Sequence, residues 1–168
     1  DFRVNIGKGV KGLRIGLVAD WHETQNPVSP ATKAGMLAAL DFYRKEGAIV
    51  SEVTLPRMEE YGAAGWIILL AEAYAVHEHW MQRDPMMYGE LLRNRLILAS
   101  LISGADVMQA QRKRRALVEA TRAATANVDI LLTASAPGEA PRIDSVPAWL
   151  FLEKPNYTIP FNICLLYT

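Results

Sequence analysis

The chain has 168 residues, 51% of them hydrophobic, and its 18 basic side chains balance 18 acidic ones. This length allows a substantial core within one domain, and the balanced charge gives no reason to expect nucleic acid or a membrane surface as partner. The longest apolar run, Trp66–Ala71, is far shorter than the roughly 20 residues of a membrane helix. Cys164 is the one cysteine, which excludes an internal disulfide and favours a reducing, cytoplasmic location.

A β–α–β unit is predicted near the amino end of the chain. Leu13–Ala19 is rich in branched apolar residues, which is typical of a strand buried on both faces. After a polar loop, Ser29 is suited to cap a helix over residues 31–46, with a proline at its first position. Gly47 is suited to a left-handed helix end. Ala48–Leu55 then predicts a second buried strand, parallel to the first because one helix connects them.

The middle of the chain is predicted to be helical. Met58–Gln82 contains many helix-forming residues, and its two glycines predict a break into two helices. Leu91–Ile102 predicts the next helix. Asp106 is suited to cap a long helix that reaches about Thr125.

The last part of the chain completes the predicted sheet. Val128–Thr133 predicts a third buried strand, next to the first two. Residues 134–168 hold five prolines, which predict mostly loop with at most one short strand near Tyr157–Phe161. The sequence therefore predicts an α/β fold in a single domain over residues 1–168, with more helices than strands.

Seven motifs in chain order resemble the amidase-signature family. They are GVKGLRIG at Gly9–Gly16, EGAIVSEVTLP at Glu46–Pro56, AEAYAVH at Ala71–His77, the YG-x5-R run at Tyr88–Arg95, AQRKR at Ala110–Arg114, DILLTASAPGEAP at Asp129–Pro141 and TIPFN at Thr158–Asn162. Seven motifs in one order and at sensible spacings are hard to obtain by chance. The resemblance covers roughly residues 9–162. It implies part of an amidase-signature fold, a mixed β-sheet flanked by helices, incomplete at both ends.

The resemblance also implies a function for the parent protein, which is the cleavage of carboxamide C–N bonds in a small amide. In this family a serine attacks the carbonyl carbon, a lysine and a bridging cis-serine relay protons, and no metal or organic cofactor takes part. The segment with these groups lies upstream of the β–α–β unit. We therefore expect no catalytic residue in this chain, which would supply scaffold and pocket wall and be inactive alone.

The two ends of the sequence favour an incomplete reading frame. The chain begins at Asp1 without an initiating methionine, and it ends in ICLLYT where the family continues with a Gly-Leu-Pro-Ala-like segment. Its expected partner is the missing amino-terminal catalytic half of the same protein. Without that half, uncovered apolar surface would favour self-association. The alternative from another class is a non-catalytic α/β interaction domain that keeps only this scaffold.

Five residues are candidates for the wall of the substrate pocket. Thr133, Ser135 and Pro137 follow the third strand, and loops at the carboxyl ends of parallel strands line ligand crevices. The resemblance implies that this loop borders the acyl pocket. Arg95 lies where some family members place an arginine that pairs with a substrate carboxylate, and Tyr88 precedes the same helix. The simpler interpretations are a turn at a strand exit and a solvated arginine.

Two charged motifs favour structural interpretations. The His77-Glu78-His79 run resembles a metal motif, but residues two apart point away from each other on a helix, so no metal site is predicted. The basic run Arg112–Arg115 suggests nucleic acid at first. Helical spacing spreads its charges around the helix, which favours a solvated face.

Overall fold

The computed structural model describes residues 3–164, except for the side chain of Phe151. The chain forms two compact units. The first contains residues up to Arg57 together with Ala120–Ile143, and the second contains Met58–Glu119 and the residues from Asp144 onward. Among the described helices, none is both long enough and apolar enough to cross a membrane.

The first unit is built on a three-stranded parallel sheet. Its strands are β1 (Arg14–Leu17), β2 (Ile49–Glu52) and β3 (Ile130–Leu132), in the order β2-β1-β3. The register pairs Ile15 with Val50 across the first two strands. The predictions that the three strands are neighbours in one sheet and that the first two are parallel are both confirmed.

The helix between β1 and β2 has the predicted ends. This helix, α1, runs over Pro30–Lys45, and the hydroxyl of Ser29 accepts a hydrogen bond of 3.2 Å from the amide of Thr32. After the helix, Gly47 has a φ of +88°, which L side chains rarely adopt. Both caps are confirmed, because each depends on residues within one turn of the helix end.

The two outer strands are less buried than their sequences predict. In the central strand Ile15 is buried, whereas Ile49 of β2 is 58% exposed and Ile130 of β3 is 49% exposed. The prediction of burial on both faces is therefore wrong for β2 and β3. Each of them pairs with one strand of the described sheet, and residues 3–164 cover only part of its side chains.

An ion pair fixes the entry of β3 beside β1. The amide of Asp129 donates to the carbonyl of Arg14 at 2.8 Å. The carboxylate of Asp129 accepts from the Arg14 amide at 2.9 Å and from its guanidinium at 2.6 and 3.1 Å. These hydrogen bonds from Arg14 lower the pKa of Asp129 from 3.8 to about 2.

We expect Asp129→Asn to change the acid sensitivity of the chain. A lowered pKa means that the carboxylate stabilises the fold above its unfolded pKa of 3.8, and that this stabilisation is lost as the pH falls toward about 2. The variant should therefore be less stable than the parent at pH 7 and lose less stability between pH 4 and pH 2. Urea unfolding over this range measures both effects.

The control for this prediction is Asp41→Asn, which removes an exposed aspartate paired with Arg44 inside α1. It should keep the acid-induced loss of the parent chain. Equal acid-induced losses in the parent and in Asp129→Asn would contradict the assignment.

The second unit is helical. It begins with α2, one continuous helix over Met58–Arg83, so the predicted break at Gly62 or Gly65 is wrong. A Cβ atom at Gly65 would lie 2.6 Å from a methyl group of Ile159, which shows that this glycine serves a close helix contact. The remaining helices are α3 (Glu90–Ala99), α4 (Gly104–Ala124, which continues into the first unit), α5 (Leu150–Glu153) and α6 (Ile159–Cys164).

The start of α4 is a reciprocal cap. The Ser103 hydroxyl accepts from the Asp106 amide at 3.2 Å, and the Asp106 carboxylate accepts from the Ser103 amide at 2.9 Å. The residue at the cap position is therefore Ser103, and the predicted cap Asp106 is its partner three residues later.

The prediction of a strand near Tyr157–Phe161 is wrong, because α6 occupies this segment. The Asn156 side chain accepts from the Thr158 amide at 2.7 Å, which caps the helix. Pro160 then lies in the first turn, where a missing amide hydrogen breaks no helical bond. At the other end of α6, Arg114 donates from Nε to the Ile163 carbonyl at 2.6 Å. One charge of the basic run therefore holds this helix, while Lys113 pairs with Glu60.

Candidate functional site at the carboxyl edge of the sheet

The loops that follow β1 and β3 meet at the carboxyl edge of the sheet in the first unit. The Val18 amide donates to the Leu132 carbonyl at 3.3 Å, so the two strands leave the sheet together. Further on, the Ser29 amide donates to the Pro137 carbonyl at 2.6 Å. The loop after β3 therefore lies against the first turn of α1. In parallel α/β sheets, this edge is where ligands bind.

Three of the predicted pocket residues lie in this loop. The Thr133 hydroxyl oxygen is buried and has no hydrogen-bond partner among the residues that the structure describes. A buried hydroxyl left without a partner costs about 1–3 kcal/mol, so this oxygen calls for a partner from outside the described chain. Ser135 and Pro137 are exposed on either side of the turn. The structure thus brings these three residues to one edge of the sheet.

The loop after β1 contributes a π-helical turn over Trp21–Gln25, a feature frequent at functional sites. Its His22 is buried, and burial lowers the pKa of the imidazole, so the ring is neutral at pH 7. Trp21 donates from Nε1 to the Pro56 carbonyl at 3.1 Å, which ties this turn to the chain that follows β2. Sequence reasoning missed His22, although its position just after the central strand was the available signal.

The acidic residue before this turn is held by its neighbours. Asp20 accepts hydrogen bonds from the side chains of Thr24 and Gln25, and these bonds lower the pKa of its carboxyl. The adjoining cavity, of about 30 Å³, is lined by His22 together with side chains of α1. That volume holds about one water molecule, so it is not a substrate pocket.

Tyr88 and Arg95 lie in the second unit. The Tyr88 hydroxyl is 3.0 Å from Nδ1 of His77, and the Tyr88 carbonyl accepts from Nη1 of Arg93 at 3.0 Å. Arg95 is half-buried on α3. The sequence predicts that only one of the two arginines can face a pocket, and Arg93 is the one engaged with Tyr88. His77 is thus oriented by a tyrosine, and among residues 3–164 no group of three or more His, Cys, Asp or Glu side chains could hold a metal ion.

The fold and its carboxyl-edge loops define a parallel α/β protein with an additional helical unit. The sequence profile described as Amidase matches residues 1–165. The chain therefore belongs to the amidase family, and the resemblance to the amidase-signature family is confirmed.

Individual relatives agree with this assignment. The chain is 31% identical to an amidase of Pseudomonas putida over 145 residues, which is 86% of the chain and 31% of the relative. It is 29% identical to a glutamyl-tRNA(Gln) amidotransferase of Geobacter sp. (strain M21), covering 97% of the chain and 39% of that relative. A crystal structure of an amidase superposes with a TM-score of 0.79 at 23% identity, over 93% of the chain and 37% of that structure, which shows the shared fold. The chain thus spans about a third of the length of the relatives it matches.

Proposed function

We propose that this chain is the sheet and pocket-wall portion of a cytoplasmic amidase-family hydrolase that cleaves carboxamide C–N bonds. The observation that carries the proposal is the family match over residues 1–165 in a chain that covers only 31–39% of its curated relatives. The catalytic serine, cis-serine and lysine belong to the amino-terminal portion, which is also the proposed partner. No metal or organic cofactor is required.

The reaction assigns separate roles to the two portions. The serine of the amino-terminal portion attacks the amide carbonyl, the C–N bond breaks with proton transfer to the leaving amine, and water hydrolyses the acyl-enzyme. In this chain, Thr133, Ser135 and Pro137 form part of the wall around the acyl group. The buried hydroxyl of Thr133 supports this role, because a bound substrate supplies the partner that the described residues do not.

Tyr88 and Arg95 are the further residues of the proposed wall. An arginine on a helix matches a carboxylate through two parallel charge-assisted hydrogen bonds, so Arg95 suits substrates that carry an acid group. Tyr88 is held in place by His77 and by Arg93, which gives it a fixed orientation before substrate binds.

A chimera tests the role of Thr133. In the chimera, this chain replaces the matched third of the Pseudomonas putida amidase, which supplies the remaining residues. We expect Thr133→Val to lower kcat/KM for small amides about tenfold, because a hydrogen bond to substrate is lost while the side-chain shape is kept. Steady-state kinetics measures the change.

The matched control is Thr133→Ser, which keeps the hydroxyl and should retain most of the activity. Equal kinetics for Thr133→Val and the parent chimera would remove Thr133 from the pocket wall. A folded chimera that binds no amide would favour the interaction-domain alternative.

A further inference from the structure

The second unit carries a groove that the proposed amide chemistry does not use. Its lining is His77 and Trp80 of α2 together with Met87 and Tyr88, which follow the helix after a short turn, and its volume is about 330 Å³. Trp80 is 46% exposed and Met87 is 70% exposed. Large apolar side chains are therefore presented to solvent around a concave surface.

The walls of the groove are fixed before any ligand arrives. The Tyr88 hydroxyl and Nδ1 of His77 are 3.0 Å apart, and their rings meet edge to face with centroids 5.5 Å apart. The turn between the helix and Tyr88 is capped by Asp84, whose carboxylate accepts from the Met86 amide at 3.0 Å. A pre-formed site spends little binding free energy on ordering its own side chains.

The chemistry of the lining defines the ligand. Two aromatic rings, an imidazole and a thioether favour a flat aromatic ring, which stacks on tryptophan and contacts sulfur well. Whichever of His77 and Tyr88 donates in their hydrogen bond, the pair keeps one N–H or O–H for a ligand acceptor. The volume lies at the small end of ligand pockets, which suits a single ring with one substituent.

We propose that the groove formed by His77, Trp80, Met87 and Tyr88 binds a small neutral aromatic molecule that carries a carbonyl group. The ring stacks against Trp80 beside Met87, and the carbonyl oxygen accepts from the His77–Tyr88 pair. This proposal is independent of the amide-cleavage proposal, since it requires binding alone.

The test is ¹⁹F NMR of the full chain labelled with 5-fluorotryptophan, which gives one resonance for each of its four tryptophans. Benzamide is the probe, and cyclohexanecarboxamide is the matched compound with the same amide on a saturated ring. We expect benzamide to shift the Trp80 resonance saturably and to bind about tenfold tighter than cyclohexanecarboxamide, because only the former stacks. Should the chain self-associate, the same titration is carried out in the chimera.

Three variants make the result decisive. Trp80→Leu assigns the resonance and should weaken benzamide binding, measured by ligand-observed NMR, about tenfold. Tyr88→Phe keeps the ring but removes the hydroxyl, and should reduce the affinity for benzamide to that for toluene. Trp149→Leu removes a comparably exposed tryptophan outside the groove and should leave binding unchanged. Equal affinities for the two amides, or an unshifted Trp80 resonance at saturation, would overturn the proposal.

Discussion

Gly65→Ala is expected to lower the free energy of unfolding by about 1–3 kcal/mol, the usual cost of overpacking a close contact. The new methyl carbon would lie 2.6 Å from Cγ2 of Ile159 and 3.0 Å from Cγ2 of Ile163. Both groups belong to β-branched side chains, which are stiff at χ1, so neither can swing aside. α6 would have to move away from α2. Urea unfolding measures the difference.

Gly62→Ala is the matched control in the same helix. A Cβ atom at Gly62 would meet nothing within 4 Å, so the substitution adds no contact. It should stabilise the chain by about 0.5–1 kcal/mol, because alanine favours a helix interior over glycine. Equal effects of the two substitutions would show that Gly65 is not needed for the packing of α6.

The isolated chain is expected to self-associate. Ile49 and Ile130 are about half exposed on the outer strands, and such edges pair readily with other chains. Covering a few hundred Å² of apolar surface is worth several kcal/mol at about 25 cal/mol per Å². That rivals the whole stability of a domain, about 5–15 kcal/mol. Light scattering should therefore give a mass above the monomer value of 18.7 kDa.

Charges on the strand edges should reverse this behaviour. The double variant Ile49→Lys with Ile130→Lys should shift the chain toward monomer, because lysine at an edge opposes strand pairing. Leu101→Lys, at a side chain that is 76% exposed outside the sheet, is the control and should leave association unchanged. A monomeric parent chain with a sharp, reversible thermal transition would contradict the expectation.

Local features of the fold were predictable, whereas features set by distant contacts were not. Ser29 and Gly47 were identified because a cap depends on neighbouring residues alone. The course of α2 through Gly65 depends on Ile159, which lies 94 residues later in the sequence, and no local pattern reports that contact. Burial of Ile49 and Ile130 likewise depends on what covers the sheet, which their own strands do not encode.

The candidate site follows the same division. Thr133 was identified from its place after a buried strand, but the burial of its hydroxyl required the three-dimensional arrangement. The His77–Tyr88 pair was missed because a turn brings together residues of a helix and the loop after it. The π-helical turn around His22 was missed because it has no sequence signature.

The most direct test of the account compares amide hydrolysis by three proteins: the chain alone, the chimera, and the Pseudomonas putida amidase without its matched third. The account predicts turnover by the chimera and none by either part, because the nucleophile and the pocket wall are on different portions of the fold. Turnover by the chain alone that is abolished by Ser135→Ala would contradict it, since the catalytic serine would then lie in this chain.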